Sequence, residues 1–240
     1  IRGAESRTGK ELSHEVISCI LEKEGTNNPL FTSLVIERLL LMDQKDFQEI
    51  YEAGGQINHI SKRQIEIIHA LPENIFGMAG TLFDAVGDKL GRSFVQEALQ
   101  YLAVARKGLR ESDLCYCMGN RWDAELFFRL RYFLADQFQV HSDGRVDFIH
   151  KSLRRGVLKS LDERELYQLN LKLIWCFHEC DGVDPVRNQE LLYHSCYIGT
   201  EYNYAAGVIW HAVNPNSDIS DRTNVCQTLA KSVVNLAVID

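Results

Sequence analysis

The chain has 240 residues, of which 45% are hydrophobic and 25% charged, and its net charge is -7. This is the composition of a folded globular protein, long enough for more than one domain. A negative balance argues against a phosphate backbone as the main partner, because nucleic-acid binding rests on Lys and Arg neutralising phosphates. No stretch approaches the roughly 18 apolar residues that a bilayer-spanning helix requires, and Ile1-Arg2-Gly3-Ala4-Glu5 has no signal-peptide core. The expectation is a cytoplasmic protein with no membrane partner, whose missing initial Met places the true start upstream. Seven cysteines, an odd number, fall mostly at apolar positions of helical patterns and read as reduced core thiols.

The first helix is expected over 10–23, with Leu12, Val16, Cys19 and Ile20 on one face, Thr8 and Glu11 as a capping box and Gly25 closing it. Asn28-Pro29 then opens a second helix, 30–41, since Asn accepts from free backbone donors and Pro fits the first turn. Leu30, Phe31, Leu34, Val35, Ile36, Leu39, Leu40 and Leu41 cover so wide an arc that this helix should be buried on most sides. A shorter helical stretch ends near Gly54-Gly55, a further helix covers 62–70, and Pro72 restarts one carrying Ile75, Met78, Leu82 and Phe83. The boundary of this helical unit is expected at Gly87 to Gly91.

Val95, Ala98, Leu99 and Leu102 mark the next helix, which ends in Arg106-Lys107-Gly108 with Gly at a left-handed cap. A short helix over 112–118 stops at Gly119, and a third begins near Trp122 and runs through Leu126, Phe127, Leu130, Phe133 and Leu134. The period then drops from 3.6 to 2. Gln137-Phe138-Gln139-Val140 and Arg145-Val146-Asp147-Phe148 alternate polar and apolar residues around Ser142-Asp143-Gly144, a strong hairpin signal. Three helices followed by a hairpin is the winged-helix order. Helices are expected again over 151–160, 163–180, 187–198, 202–213 and 224–238, the last three as the start of a helical repeat array. The fold class is therefore mainly α.

Candidate chemistry is sparse. Thr8-Gly9-Lys10-Glu11 fails as a phosphate loop, because the first glycine of that motif would fall at Ala4 and the Mg²⁺-binding Ser or Thr at Glu11. No local signature of a nucleophile with its base is present, so no catalytic residue is assigned. Cys176, Cys180 and His194, with His178 and Cys196 nearby, form a metal alternative, although Cys176 and Cys180 lie in an apolar helical pattern that favours core thiols. The charges of the third helix, Asp123, Glu125, Arg129, Arg131 and Asp136, are near balance, which disfavours the alternative of a winged-helix DNA-binding regulator. His150 stands where the hairpin meets a helix, followed by Lys151, Arg154, Arg155 and Lys159, a natural anion site or a solvated basic face.

Asn28-Pro29-Leu30, the winged-helix opening from Leu99 to Leu114, and Phe148-Ile149-His150, in this order, resemble the STAND class of ATPases, particularly its NACHT-type members. The resemblance covers about residues 10–165 and implies the part of such a protein that follows the P-loop domain. It implies a helical domain over 1–87, a winged helix over 88–160 and a second helical region over 161–240. Pro29 matches the proline that lies against the bound adenine nucleotide, and His150 the histidine that touches the phosphates of ADP and locks the inactive state. Asn28 and Arg154 stand beside them. Arg110 takes the place of a common helix-capping Ser, and Lys151 that of an Asp or small polar residue. The implied partners are the chain's own upstream P-loop domain and, in the active state, further copies of the protein. ADP or ATP with Mg²⁺ would be held only with that domain present, and the fragment alone would have neither cofactor nor enzymatic activity.

Overall fold

The computed structural model describes residues 12–42, 47–48, 50, 52, 57–179 and 184–198. The helices expected over 202–213 and 224–238, the stretch ending at Gly54-Gly55, Cys180 and Thr8-Gly9-Lys10-Glu11 lie outside them.

The protein is mainly α-helical with one small antiparallel sheet. The helices are α1 (His14–Glu22), α2 (Pro29–Leu40), α3 (Ile57–Ala70), α4 (Ile75–Leu90), α5 (Arg92–Val104), α6 (Glu111–Met118), α7 (Ala124–Phe133), α8 (Lys151–Lys159), α9 (Glu163–Glu179) and α10 (Pro185–Ile198). Strands β1 (Phe138–Val140) and β2 (Val146–Phe148) separate α7 from α8. By compactness the chain forms two units. One holds residues 1–98, 123–139 and 148–157, and the other 99–122, 140–147 and 158–240.

In the first unit, Ser13 caps α1, its hydroxyl accepting from Val16 N at 3.4 Å, and the helix begins at His14. The expected face survives, with Val16, Cys19 and Ile20 buried. Asn28 caps α2 as its chemistry dictates, Oδ1 accepting from Leu30 N at 3.0 Å, with Pro29 in the first turn. Every apolar residue of α2 named above is buried, Leu41 included, which fits a helix enclosed by its neighbours. The start of α4 is set by Asn74, whose Oδ1 accepts from Gly77 N at 2.8 Å, and not by Pro72. Phe148 meets Phe138 and Phe83 at ring-centroid distances of 5.3 and 6.4 Å, closing the base of the hairpin over α4.

In the second unit, α9 packs along α10 and against α6, with Leu173, Cys176 and Leu191 buried between them. The hairpin turn forms as expected. His141 N donates to Arg145 O at 2.8 Å, and Gly144 adopts φ +84, the left-handed conformation its turn requires. A further pairing joins Leu109, in the α5–α6 connection, antiparallel to Val146 of β2. Leu109 N donates to Val146 O at 3.0 Å and Val146 N to Leu109 O at 2.8 Å. Helix, short strand, helix, helix, hairpin is the full winged-helix order, with the first strand reduced to one residue. Gly108 has φ +76, as a left-handed position should, but α5 ends four residues earlier, so its conformation serves this strand pairing and not the helix cap.

Candidate functional site

Asn28 and Pro29 lie exposed at the start of α2. Because the Asn28 side chain already accepts from Leu30 N, and Pro29 carries no N–H, this end presents a ring rather than an array of free donors. His150 is exposed at the residue preceding α8, its carbonyl accepting from Leu153 N at 3.0 Å. Phe148, two residues before, is 4% exposed and anchors the segment, whereas Ile149 is 45% exposed. Lys151 and Arg155 are exposed and Arg154 half-buried. With no acidic residue in α8, the helix dipole and these cations add to positive potential beside His150.

Both candidate elements belong to the first unit, and a buried polar path joins their supports. Glu37, on the third turn of α2 and 4% exposed, accepts from Gln137 Nε2 at 2.9 Å. Gln137, fully buried, in turn accepts at its backbone carbonyl from Ile149 N at 2.9 Å, one residue before His150. Pairing residues 100 apart in sequence leaves no periodic signal. One clue was available, namely a charge within the apolar surface of α2.

Arg110, the departure from the expected capping Ser, has a role of its own in the second unit. The cap is supplied from within α6, where Asp113 Oδ2 accepts from Arg110 N at 3.1 Å. The Arg110 guanidinium is thereby free to reach the wing and α10. Its Nε donates to Asp143 O at 3.1 Å, its Nη2 to Asp143 Oδ2 at 3.3 Å and its Nη1 to Asp184 Oδ2. Asp184 also caps α10, Oδ1 accepting from Val186 N at 2.9 Å. Asp113, with a side chain 3% exposed, receives Arg187 Nε and Nη2 on Oδ1 at 3.1 and 2.7 Å. Arg145 completes the cluster, donating to Asp143 Oδ2 at 2.7 Å and to Lys107 O at 2.7 Å.

These pairs shift ionisation in a defined direction. Burial alone would raise the Asp184 carboxyl, but the Arg110 hydrogen bond and the backbone donors of α10 outweigh it, and the net shift is downward. The hydrogen bond from Arg145 lowers Asp143. A carboxyl depressed in the folded state stabilises fully above its unfolded value, about pH 3.9, and loses that contribution as pH falls through the folded value. Urea midpoints should therefore decline as the protein is acidified below about pH 4, and Arg110→Met should flatten that decline. An identical acid slope in the variant would show that Arg110 does not set it.

The metal alternative gains nothing from the described residues. Cys176 Sγ donates to Asp113 O at 3.7 Å, while His194 is fully buried, its Nδ1 2.7 Å from Asn170 Oδ1 and its Nε2 3.4 Å from Glu190 Oε2. They serve different partners, and among the described residues no group of three or more His, Cys, Asp or Glu could hold a metal. Cys180 and the side chains of His178 and Cys196 lie outside that set. Elsewhere, Cys19 Sγ stands 3.9 Å from His69 Nε2, but burial pushes the thiol up, away from nucleophilic character. On α7, the helix that would read DNA, the exposed residues include Glu125, Phe128, Arg129 and Tyr132, an aromatic and mixed-charge surface.

Among the described residues, no helix is long and apolar enough to cross a membrane. In comparison with known proteins, no family model, no curated protein and no solved structure matches the chain.

Proposed function

We propose that this chain is the regulatory part of a cytoplasmic STAND-type ATPase of the NACHT kind, with a helical domain, a winged helix and a second helical region that follow a P-loop domain. The observation that carries this reading is the exposed His150 at the foot of the hairpin and the start of α8, in the place where the resemblance puts a phosphate contact. Pro29, exposed at the capped start of α2, stands where the adenine contact would be.

In this reading the P-loop domain binds the nucleotide and the present chain closes over it. His150 and the α8 N-terminus meet the ADP phosphates, with Arg154 on the same helix. Exchange for ATP removes contacts made only in the closed state, and the population shifts toward an open form that self-associates. The chain itself performs no catalysis.

The test is His150→Ala in the protein extended upstream through its P-loop domain. ADP affinity measured by calorimetry should fall roughly tenfold, within the ordinary range for loss of a charge-assisted phosphate contact. Unchanged affinity would remove His150 from the role.

A further inference from the structure

Glu37 is the charged residue among the buried positions of α2. Burying a carboxylate is costly unless donors meet it, and one side chain that donates to it is that of Gln137, immediately before β1. Gln137 faces two ways. Its side-chain amide holds the third turn of α2, and its main-chain carbonyl holds the amide of Ile149. The same residue therefore fixes the helix that Pro29 begins and the segment that His150 ends. A carboxylate accepts only, so the amide is oriented with Nε2 toward Glu37, and Gln137 Oε1 is left buried with no hydrogen-bond partner among the described residues. A lone amide bridging two elements is sensitive to their relative register, because neither bond survives a displacement much beyond hydrogen-bond length.

We propose that the Glu37–Gln137 hydrogen bond is a positioning linkage that keeps Phe148-Ile149-His150 in register with the helix starting at Pro29, and so gives the nucleotide site its preference for ADP over ATP. This rests on the nucleotide-facing reading above. Glu37 and Gln137 touch no nucleotide themselves. They act through His150.

The experiment compares Glu37→Gln, Glu37→Leu, Gln137→Leu and His150→Ala in the protein extended through its P-loop domain. Circular dichroism verifies folding, amide hydrogen exchange is followed at Ile149, and calorimetry gives ADP and ATP affinities. Glu37→Leu and Gln137→Leu should each speed exchange at Ile149 and reduce the ADP-to-ATP affinity ratio about tenfold, a typical coupling between linked elements. Glu37→Gln keeps an acceptor for Gln137 Nε2 and should retain both properties, so a loss in Glu37→Leu, which fills a similar volume without an acceptor, is not explained by space-filling. If His150→Ala weakens ADP binding while the two Leu variants keep the parent ratio, the linkage is overturned. If His150→Ala leaves ADP binding unchanged, the nucleotide-facing reading itself fails, and the linkage falls with it. Should Glu37→Leu not fold, Gln137→Leu and Glu37→Gln still decide, since a fully parental exchange rate and ratio in Gln137→Leu contradicts the proposal.

Discussion

Replacing Gly108 by alanine is expected to cost roughly 3 kcal/mol or more of stability, summed from a left-handed backbone and a broken strand pairing. Gly108 sits at φ +76, where an L side chain is strained. A Cβ built there would lie 2.3 Å from Val146 O and 2.8 Å from Asp147 Cβ, and the first of these is backbone that cannot swing aside. Relief requires Val146 to move, and Val146 O and N hold both bonds to Leu109. The lesion therefore strikes the strand pairing that closes the winged-helix order. Gly80→Ala makes the control, since Gly80 lies in α4 with open space around it and should gain about 0.5–1 kcal/mol through helix propensity. A shift in urea midpoint without a change of slope would report the stability loss. A Gly108→Ala protein as stable as the parent would mean that the close approach to Val146 does not constrain the fold.

The second large effect is expected from Arg187→Met. Its two guanidinium donors converge on Asp113 Oδ1, and removing them leaves a carboxylate with a side chain 3% exposed that keeps the Arg110 amide as a donor. Breaking a buried ion pair from one side costs about 3 kcal/mol, because the remaining charge is desolvated and unmatched. The loss should persist in high salt, since a buried pair is poorly screened. Adding Asp113→Asn should recover part of it by removing the orphaned charge while keeping an acceptor for Arg110 N. Chemical denaturation of the two single variants and the double variant gives the coupling. A change below about 0.5 kcal/mol for Arg187→Met, the usual size of a neutral surface substitution, would contradict the assignment.

Much of the fold was legible where one local rule sufficed. Asn28-Pro29 announces the start of α2, the apolar arc of α2 announces its burial, and Asp143-Gly144 between alternating runs announces the hairpin. Where two local signals competed the sequence was ambiguous, as with Pro72 and Asn74 before α4. Nonlocal features were hidden. Leu109 is too short a strand to have a period, and Arg110 looks like a missing cap until Asp143 and Asp184 are brought to it across 33 and 74 residues. The candidate site divides in the same way. Capping chemistry places Asn28 and Pro29, and the change of period places His150 at the end of the hairpin, but periodicity says nothing about what a histidine there would touch. That role came from the resemblance alone.

In the proposed role, this chain closes over a nucleotide held by another part of the same protein. Calorimetric titration of ADP into the 240-residue chain and into a longer form carrying the P-loop domain tests it most directly. Weak binding to the first and tight binding to the second are expected. A longer form without affinity for ADP, or a fragment that binds ADP as tightly as the longer form, would contradict it.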